Sequence, residues 1–339
     1  MRKKNARMWA VVMVMLAITT TTFAQSRREV MRERMSVTGQ KVDSVLRKNY
    51  EKGTYDTLYI KRPESRLMLK LRGNLSGNYI HAKNTVDGND IRAKLKTDMR
   101  ATLSVGVNYM GLSAGMAINP ARLSGRNKDM EFNLNAYANR FGIEAGYQLS
   151  KTLSGDITQN DLTYHLNKGY LRMAALSVTG YYAFNHRHFS YPAAFTQSYI
   201  QKRSAGSWLA GFSYQGGSIK TTGDTPTEMG KARIYVGNFA IGGGYGYNLV
   251  AKRWLFHLSA QPNVIIFNSN SVEMNGEKRS ESYHFPEMII NSRGAVVYTI
   301  NPKYFVGSTL VVNSTLFGNL DHYTRQVKGY ARFFFGIRL

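Results

Sequence analysis

Residues 94–109, KLKTDMRATLSVGVNY, decide the fold, because apolar and polar side chains alternate along most of this stretch. Leu103, Val105 and Val107 share one face, and Ser104 and Asn108 share the other. Successive side chains of a β-strand point to opposite sides of a sheet. The alternation therefore predicts a strand with one apolar and one polar side.

The same alternation recurs along the chain. The predicted strands lie near 67–82, 94–109, 111–119, 129–138, 141–149, 170–184, 204–214, 237–249, 254–267, 286–300, 304–314 and 329–339. Most span about 9–11 residues or more, which is enough to cross a membrane at a tilt. We therefore predict an all-β fold, an antiparallel transmembrane outer-membrane β-barrel of about 12 strands.

The connections between these strands alternate in length. The odd connections are long and polar and cover 83–93, 120–128, 150–169, 215–236, 268–285 and 315–328. Most even connections are short and lie near Met110, 139–140, 250–253 and 301–303. Outer-membrane barrels have long outer loops and short periplasmic turns. The alternation thus supports a barrel with both termini on the periplasmic side.

The N-terminal residues have the three parts of an export signal. A basic start is followed by the apolar run Met8–Ala17 and by small residues that permit cleavage after Ala24. We predict a signal peptide over 1–24, a periplasmic N-terminal segment over 25–66 and a transmembrane β-barrel over 67–339. The expected location is the outer membrane of a Gram-negative bacterium.

The third even connection, residues 185–203, is long where a short turn is expected. Long connections are usually functional or disordered, and the aromatic residues of this one argue against disorder. It is predicted to fold into the lumen as a plug or to lie below the barrel as a periplasmic cap. The plug or ligand-contact candidates are Asn185, His186, Arg187, His188, Tyr191, Gln201, Lys202 and Arg203.

This segment also carries a family resemblance. The stretches FNHRHFSYPAAF at 184–195 and QKRSAGS at 201–207 resemble the signature of a Bacteroidota outer-membrane β-barrel family known only as a domain of unknown function. The likeness includes YDTLYI at 55–60 and so covers nearly the whole mature chain. It implies an outer-membrane setting and brings no known activity or catalytic residue.

The net charge of +24 is the broadest chemical signal of the sequence. An exported barrel is not expected to bind nucleic acid, so the basic residues are assigned to the lumen and the loops. Charges on the polar side of the strands favour a lumen that prefers anions, and inward ion pairing is the alternative. The predicted lumen charges are Lys96, Asp98, Arg100, Glu131, Glu144 and Arg293.

One histidine–histidine pair and two serine–histidine pairs are candidate sites of chemistry. His186 and His188 could share one side of an extended chain, but the sequence has no cysteine to join them, and neither a metal nor another cofactor is predicted. Ser190 with His188, or Ser259 with His257, could form a lipid-cleaving site, yet neither pair lies in a nucleophile motif. We therefore predict no catalytic residues.

The leading functional prediction is a structural or small-solute pore, with anions preferred. An outer-membrane enzyme that acts on lipids or lipopolysaccharide is the first alternative, and a barrel that scaffolds a periplasmic or surface partner is the second. The predicted partners are outer-membrane lipid and lipopolysaccharide, the barrel-insertion machinery and a periplasmic partner bound through 25–66.

Overall fold

The computed structural model describes residues 44, 54–86, 89–109, 112–118, 129–223, 231–274, 276–280, 285–318 and 322–339. The predicted signal peptide over 1–24 and most of the predicted segment over 25–66 lie outside these residues. The chain divides into two units, Met1–Thr54 and Tyr55–Leu339, and the second unit contains the strands.

The second unit contains nineteen described strands and a short helix. The strands are β1 (Ile60–Lys61), β2 (Leu67–Val86), β3 (Asn89–Lys96), β4 (Arg100–Tyr109), β5 (Leu112–Ile118), β6 (Met130–Tyr137), β7 (Phe141–Ser150), β8 (Ser154–Gln159), β9 (Leu162–Leu166), β10 (Leu171–Ala183), β11 (Ile200–Gln201), β12 (Ala205–Thr221), β13 (Ala232–Ala251), β14 (Trp254–Asn268), β15 (Ser271–Met274), β16 (Glu277–Ser280), β17 (Met288–Thr299), β18 (Tyr304–Gly318) and β19 (Tyr323–Arg338). The helix α1 spans Tyr191–Phe195.

Twelve of these strands form the wall of a barrel, in the order β2, β4, β5, β6, β7, β10, β12, β13, β14, β17, β18 and β19. The last strand pairs antiparallel with the first, from Arg338 opposite Met68 to Tyr323 opposite Lys83. Strands β5 and β6 contact each other on either side of residues that are not described. The prediction of an all-β antiparallel barrel is confirmed.

The wall has the inverted polarity of a barrel surrounded by lipid. On β14, Leu258 is 73% exposed, whereas its neighbours His257 and Ser259 are buried. Exposed aromatic residues lie near the end that carries the short connections and include Tyr109, Phe141, Phe184, Trp208, Tyr247 and Trp254. Such a girdle is typical of a membrane interface. Among the described residues, no helix is long and apolar enough to span a membrane.

The predicted long loops contain more strand than the sequence indicated. Strands β8 and β9 form a hairpin within 150–169, and β15 and β16 form one within 268–285. These hairpins continue the wall, because β8 pairs with β3 and β15 pairs with β13. Polar residues extend as strands here since a neighbouring strand edge supplies backbone hydrogen bonds.

The predicted single strand over 94–109 is two strands, and the inward side changes between them. In β3, Leu95 lies opposite Ile80 and is buried, whereas in β4 the odd-numbered Leu103 is exposed. Thr97 interrupts the strand and exchanges hydrogen bonds with Asn78. Because three residues outside any strand intervene, the alternation resumes with the opposite phase.

Residues 185–203, hereafter the inner segment, lie inside the ring of wall strands. Helix α1 begins after Ser190, whose hydroxyl accepts from the amide of Ala193, with proline in the first turn. Ala193 and Ala194 pack against residues of β2, β14, β17, β18 and β19. Phe189 and Tyr191 pack against β10 and β12, on another part of the wall. The inner segment therefore fills the lumen near the short connections.

A two-stranded sheet fixes the other side of the inner segment. Strand β1 pairs antiparallel with β11, with Ile60 opposite Gln201. The backbone amide of Lys202 donates to the carbonyl of Tyr59 over 2.7 Å, and that of Asp56 donates to the carbonyl of Arg187 over 2.9 Å. The chain before β2 thus binds the inner segment directly.

Candidate functional site

Gln201 organises the polar core of the inner segment. Its amide nitrogen donates to the carbonyls of His188 and Arg203, and its amide oxygen accepts from the backbone of Ser190 over 3.0 Å. Asn248 of β13 donates to the same oxygen over 3.0 Å and to the carbonyl of Ser190 over 2.9 Å. The buried amide pair Gln201–Asn248 therefore joins the inner segment to the wall.

Several of the predicted contact residues hold the chain before β2. His188 lies 3.4 Å from the carboxylate of Asp56, and its ring centre is 4.4 Å from that of Tyr59. Lys202 donates to the carbonyl of Thr57 over 2.8 Å. Two of the remaining candidates act nearby: Asn185 donates to Gly206 and contacts His188, and Arg203 lies 5.9 Å from the ring centre of Tyr59.

The other basic candidates of the inner segment do not reach the wall carboxylates. Arg187 is exposed, and Nδ1 of His186 is buried without a hydrogen-bond partner. In the described part of the chain, no three His, Asp or Glu side chains gather as a metal site requires. The inner segment therefore presents neutral polar and aromatic groups to the lumen.

Tyr191 connects the inner segment to a row of polar residues on the wall. Its hydroxyl lies 2.6 Å from Oγ of Ser259, and its ring stacks on Tyr181 with centroids 4.4 Å apart. Burial raises the pKa of Tyr191, so the phenol keeps its proton at neutral pH. Ser259 in turn lies 3.0 Å from Nε2 of His257.

The two candidate serine–histidine pairs differ: His188 does not contact Ser190, whereas His257 contacts Ser259. The hydroxyl of Ser190 donates to Asn139 over 2.6 Å, and His188 faces Asn185 and Asp56 instead of Ser190. His257 faces Asn248, with 2.7 Å between Nδ1 and the amide oxygen. Parity within β14 indicated the pair His257–Ser259 but could not supply Asn248, which lies on the neighbouring strand.

Four of the predicted lumen charges form two buried ion pairs. Arg100 contacts Glu131 and the hydroxyl of Ser76, and Lys328 lies 4.0 Å from Glu131. Glu144 accepts from Arg293 over 3.1 Å and also contacts Tyr137.

The last two predicted lumen charges, Asp98 and Lys96, lie elsewhere. Asp98 forms a largely exposed ion pair with Lys168 at 2.9 Å. Lys96 lies opposite the exposed Tyr79 and points to the outer face, because of the phase change after β3.

Six cations occupy successive inward rows where the first and last strands of the wall meet. We call them the cation ladder; in order along the wall they are Arg338, Lys70, Arg72, Arg332, Arg100 and Lys328. Their row partners on β2 or its neighbours are Met68, Gly336, Phe334, Asn74, Ser76 and Asn78, respectively. Rows two residues apart are separated by about 7 Å along a strand.

The cation ladder is neutralised only at one end. Arg100 and Lys328 share Glu131. Within the described ranges, no carboxylate lies within ion-pair distance of Arg338, Lys70, Arg72 or Arg332. The other end of the ladder therefore has a positive charge excess inside the wall.

The inner segment lies on the unpaired end of the cation ladder. Lys70 is 2% exposed and donates to the carbonyl of Thr196 and to the side-chain oxygen of Gln197. Arg338 lies 4.5 Å from the ring centre of Phe305. Farther along the lumen, a cavity of about 60 Å³ is lined by residues that include Gln215, Asn313, Gln326 and Lys328. Dipoles and rings, not carboxylates, thus face the unpaired cations.

The fold is similar to that of several solved outer-membrane proteins. The Escherichia coli outer membrane protease OmpT is 8% identical and aligns over 86% of this chain and 100% of its own, with a TM-score of 0.44. The translocator domain of the autotransporter NalP from Neisseria meningitidis is 11% identical over 92% of this chain and 98% of its own, with a TM-score of 0.32. OprG from Pseudomonas aeruginosa is 9% identical over 80% of this chain and 96% of its own, with a TM-score of 0.28.

No curated protein matches the sequence. Residues 54–338 match the model of the family described as a domain of unknown function (DUF4421), which is more than half of the chain, and the protein therefore belongs to that family.

Proposed function

We propose that the protein is an outer-membrane barrel that conducts small anionic solutes along the cation ladder, with the inner segment as its gate. The observation that carries this proposal is the unpaired end of the ladder, where four cations point into the lumen and none has a carboxylate partner among the residues that the structure describes. The membrane setting is supported by the exposed apolar wall and its aromatic girdle. We also propose that the protein comes from a member of the Bacteroidota, because of the resemblance of residues 184–195 and 201–207 to a family of that group.

The energetics of buried charge favour anions in this lumen. A buried cation without an opposite charge is costly, so an entering anion stabilises the cations it passes. Lys70 is surrounded by the like charges of Arg72, Arg332 and Arg338. Successive cations about 7 Å apart give an anion several neighbouring positions, and several weak positions permit passage where a single tight one would trap the solute.

The contacts of Lys70 explain why the inner segment can act as a gate. Thr196 and Gln197 offer this ammonium two oxygen atoms, which are the kind of partner that an anion would replace. An anion at Lys70 competes with both contacts and weakens one attachment of the inner segment to the wall. Solute entry and movement of the inner segment are thus coupled at one residue.

Shortening the inner segment tests the pore. Replacing 186–202 with an Asn-Gly turn is expected to raise single-channel conductance in planar bilayers, because the lumen loses its contents while the wall keeps its hydrogen bonds. The reversal potential in a KCl gradient should show a preference for chloride. A folded, heat-modifiable barrel whose conductance equals that of the intact protein would contradict the gate.

Neutralising the cation ladder tests the selectivity. In the shortened protein, Arg72→Gln with Arg332→Gln should abolish the chloride preference, because the lumen loses its unpaired charge. The matched control is Lys252→Gln with Arg253→Gln, which removes two exposed cations at the turn between β13 and β14. If the control pair shifts the reversal potential as much as the ladder pair, the ladder does not set selectivity. The intact protein serves in both measurements if the shortened one fails to assemble, since its rare openings should show the same preference.

Single cysteines test the proposed orientation. The natural sequence has no cysteine, so labelling has no background. A cysteine at Asp161, between β8 and β9, should react with an impermeant maleimide on whole cells. Cysteines at Lys252 and Pro302, in the short turns, should react only after the outer membrane is permeabilised. The reverse pattern would invert the barrel in the membrane.

A further inference from the structure

We propose that Asn248, His257 and Ser259 form an acyl-transfer site for carboxylic esters of small apolar acids, with Ser259 as the nucleophile and Tyr191 as the group that closes it. The proposal is independent of conduction, because it rests on a different set of side chains on β13 and β14.

The strand geometry brings the three side chains together. His257 and Ser259 are two residues apart on β14 and so face the lumen side by side. Asn248 lies opposite His257 on β13. The chain of contacts runs from the Asn248 oxygen to Nδ1 at 2.7 Å and from Nε2 to Oγ of Ser259 at 3.0 Å. All three residues are at least 96% buried.

The surrounding hydrogen bonds determine which ring nitrogen carries the proton. Asn248 donates both to the carbonyl of Ser190 and to the amide oxygen of Gln201, which fixes its own oxygen toward His257. That oxygen can only accept, so the proton is on Nδ1 and Nε2 has a free lone pair. Nε2 therefore accepts from the hydroxyl of Ser259, as a general base does.

The arrangement has the parts that nucleophilic catalysis needs: a hydroxyl, a base in contact with it and a group that orients the base. Oγ of Ser259 attacks the carbonyl carbon of the ester as its proton passes to Nε2 of His257. The carbon–oxygen bond to the alcohol then breaks, and the imidazolium returns the proton to the departing alkoxide. Water repeats the sequence on the acyl-serine and releases the acid.

The position of the Tyr191 hydroxyl indicates where an ester carbonyl would lie. It is 2.6 Å from Oγ of Ser259, and the positive charge of Arg293 lies close enough to act on it electrostatically. A carbonyl oxygen in this place would develop its negative charge beside a guanidinium, which stabilises the tetrahedral intermediate.

The side chains packed around the nucleophile limit the acyl group. Gly246 lies opposite Ser259, and a Cβ at this glycine would come within 3.2 Å of the Ser259 Cβ and 3.1 Å of the Phe189 ring. Only glycine therefore permits the close packing of the Phe189 ring beside Ser259. The rings of Phe189 and Phe195 lie 5.9 and 5.1 Å from that of His257, so the groups around the nucleophile are aromatic and favour a small apolar acid.

A fluorophosphonate probe on the full-length protein in detergent tests the site, because it forms a bond from Oγ to phosphorus and releases fluoride. Peptide mass spectrometry should find the label on Ser259, slowly in the natural protein and faster in Tyr191→Phe, which keeps the ring and removes the closing hydroxyl. His257→Gln should lower the rate by about 100-fold or more, the usual contribution of a general base. Ser213 is the internal control, since it is buried and bonded to Asn291 but has no histidine beside it.

The pH profile separates positioning by Asn248 from a structural role. Asn248→Asp should keep the reactivity and move the rise in labelling to higher pH, because a carboxylate stabilises the protonated imidazole. Asn248→Ala should lose reactivity. The proposal is overturned if Ser259 stays unlabelled in folded natural protein and in folded Tyr191→Phe, or if its labelling rate equals that of Ser213 or ignores His257→Gln. Heat-modifiability on gels establishes that each variant is folded.

Discussion

Replacing Glu144 with alanine is expected to lower the free energy of unfolding by about 3–5 kcal/mol, because Arg293 then remains inside the wall without an opposite charge. The guanidinium of Arg293 is 3% exposed and donates to Glu144 over 3.1 Å. Arg293 also donates to the hydroxyl of Thr179 over 3.3 Å, which cannot neutralise it. Glu144 also accepts from Tyr137, so the substitution leaves a second buried group without its partner.

Urea unfolding in detergent micelles, followed by tryptophan fluorescence, measures this loss. The matched control is Asp98→Ala, which breaks the exposed ion pair with Lys168. Exposed pairs contribute about 0.2–1 kcal/mol, so the control should change the midpoint little. Equal losses in the two variants would mean that Glu144 and Arg293 are hydrated in the lumen, contrary to their burial in the structure.

Placing a lysine at Phe132 should destabilise the barrel by about 2–4 kcal/mol, the cost of a cation on the lipid face near the bilayer midplane. Phe132 is 62% exposed on the outer side of β6. The next residue, Asn133, points inward and donates to Glu131 over 3.1 Å. Asn133→Lys places the same charge on the lumen side, beside a carboxylate that Arg100 and Lys328 already share, and serves as the inward-facing control.

Reconstitution into lipid vesicles of defined composition gives the measurement: the folded fraction should fall much more for Phe132→Lys than for Asn133→Lys. A larger loss for Asn133→Lys would exchange the assigned inner and outer faces of β6.

The alternation of apolar and polar side chains within a strand can be read from the sequence because it is local. The period of two around Phe132 or Leu258 needs no knowledge of any other strand, and the barrel follows from its repetition. The sequence does not reveal that the inward-facing side changes between Leu95 and Leu103, since this change depends on how Thr97 is bonded to Asn78. As a result, the alternation predicts Lys96 in the lumen, whereas the structure places it on the outer face.

The candidate sites depend on pairing between strands, which the period does not reveal. The cation ladder exists because Arg338 lies opposite Met68, a pairing of the two ends of the wall. By contrast, Asn248 could have been found beside His257, because the short turn after β13 pairs Ala251 with Trp254 and so sets the register of that hairpin.

The pairing of β1 with β11 has a mechanical consequence. Tyr55 to Lys61 precede the first wall strand in the sequence. They are attached to the inner segment by a two-residue strand pair and a few hydrogen bonds. The first and last wall strands, in contrast, are paired from Met68 to Lys83. Tension applied to the chain before Tyr55 would therefore load the contacts with the inner segment first, and these would rupture while the wall stays intact. A force on the chain before Tyr55 would thus act on the inner segment before it acts on the wall.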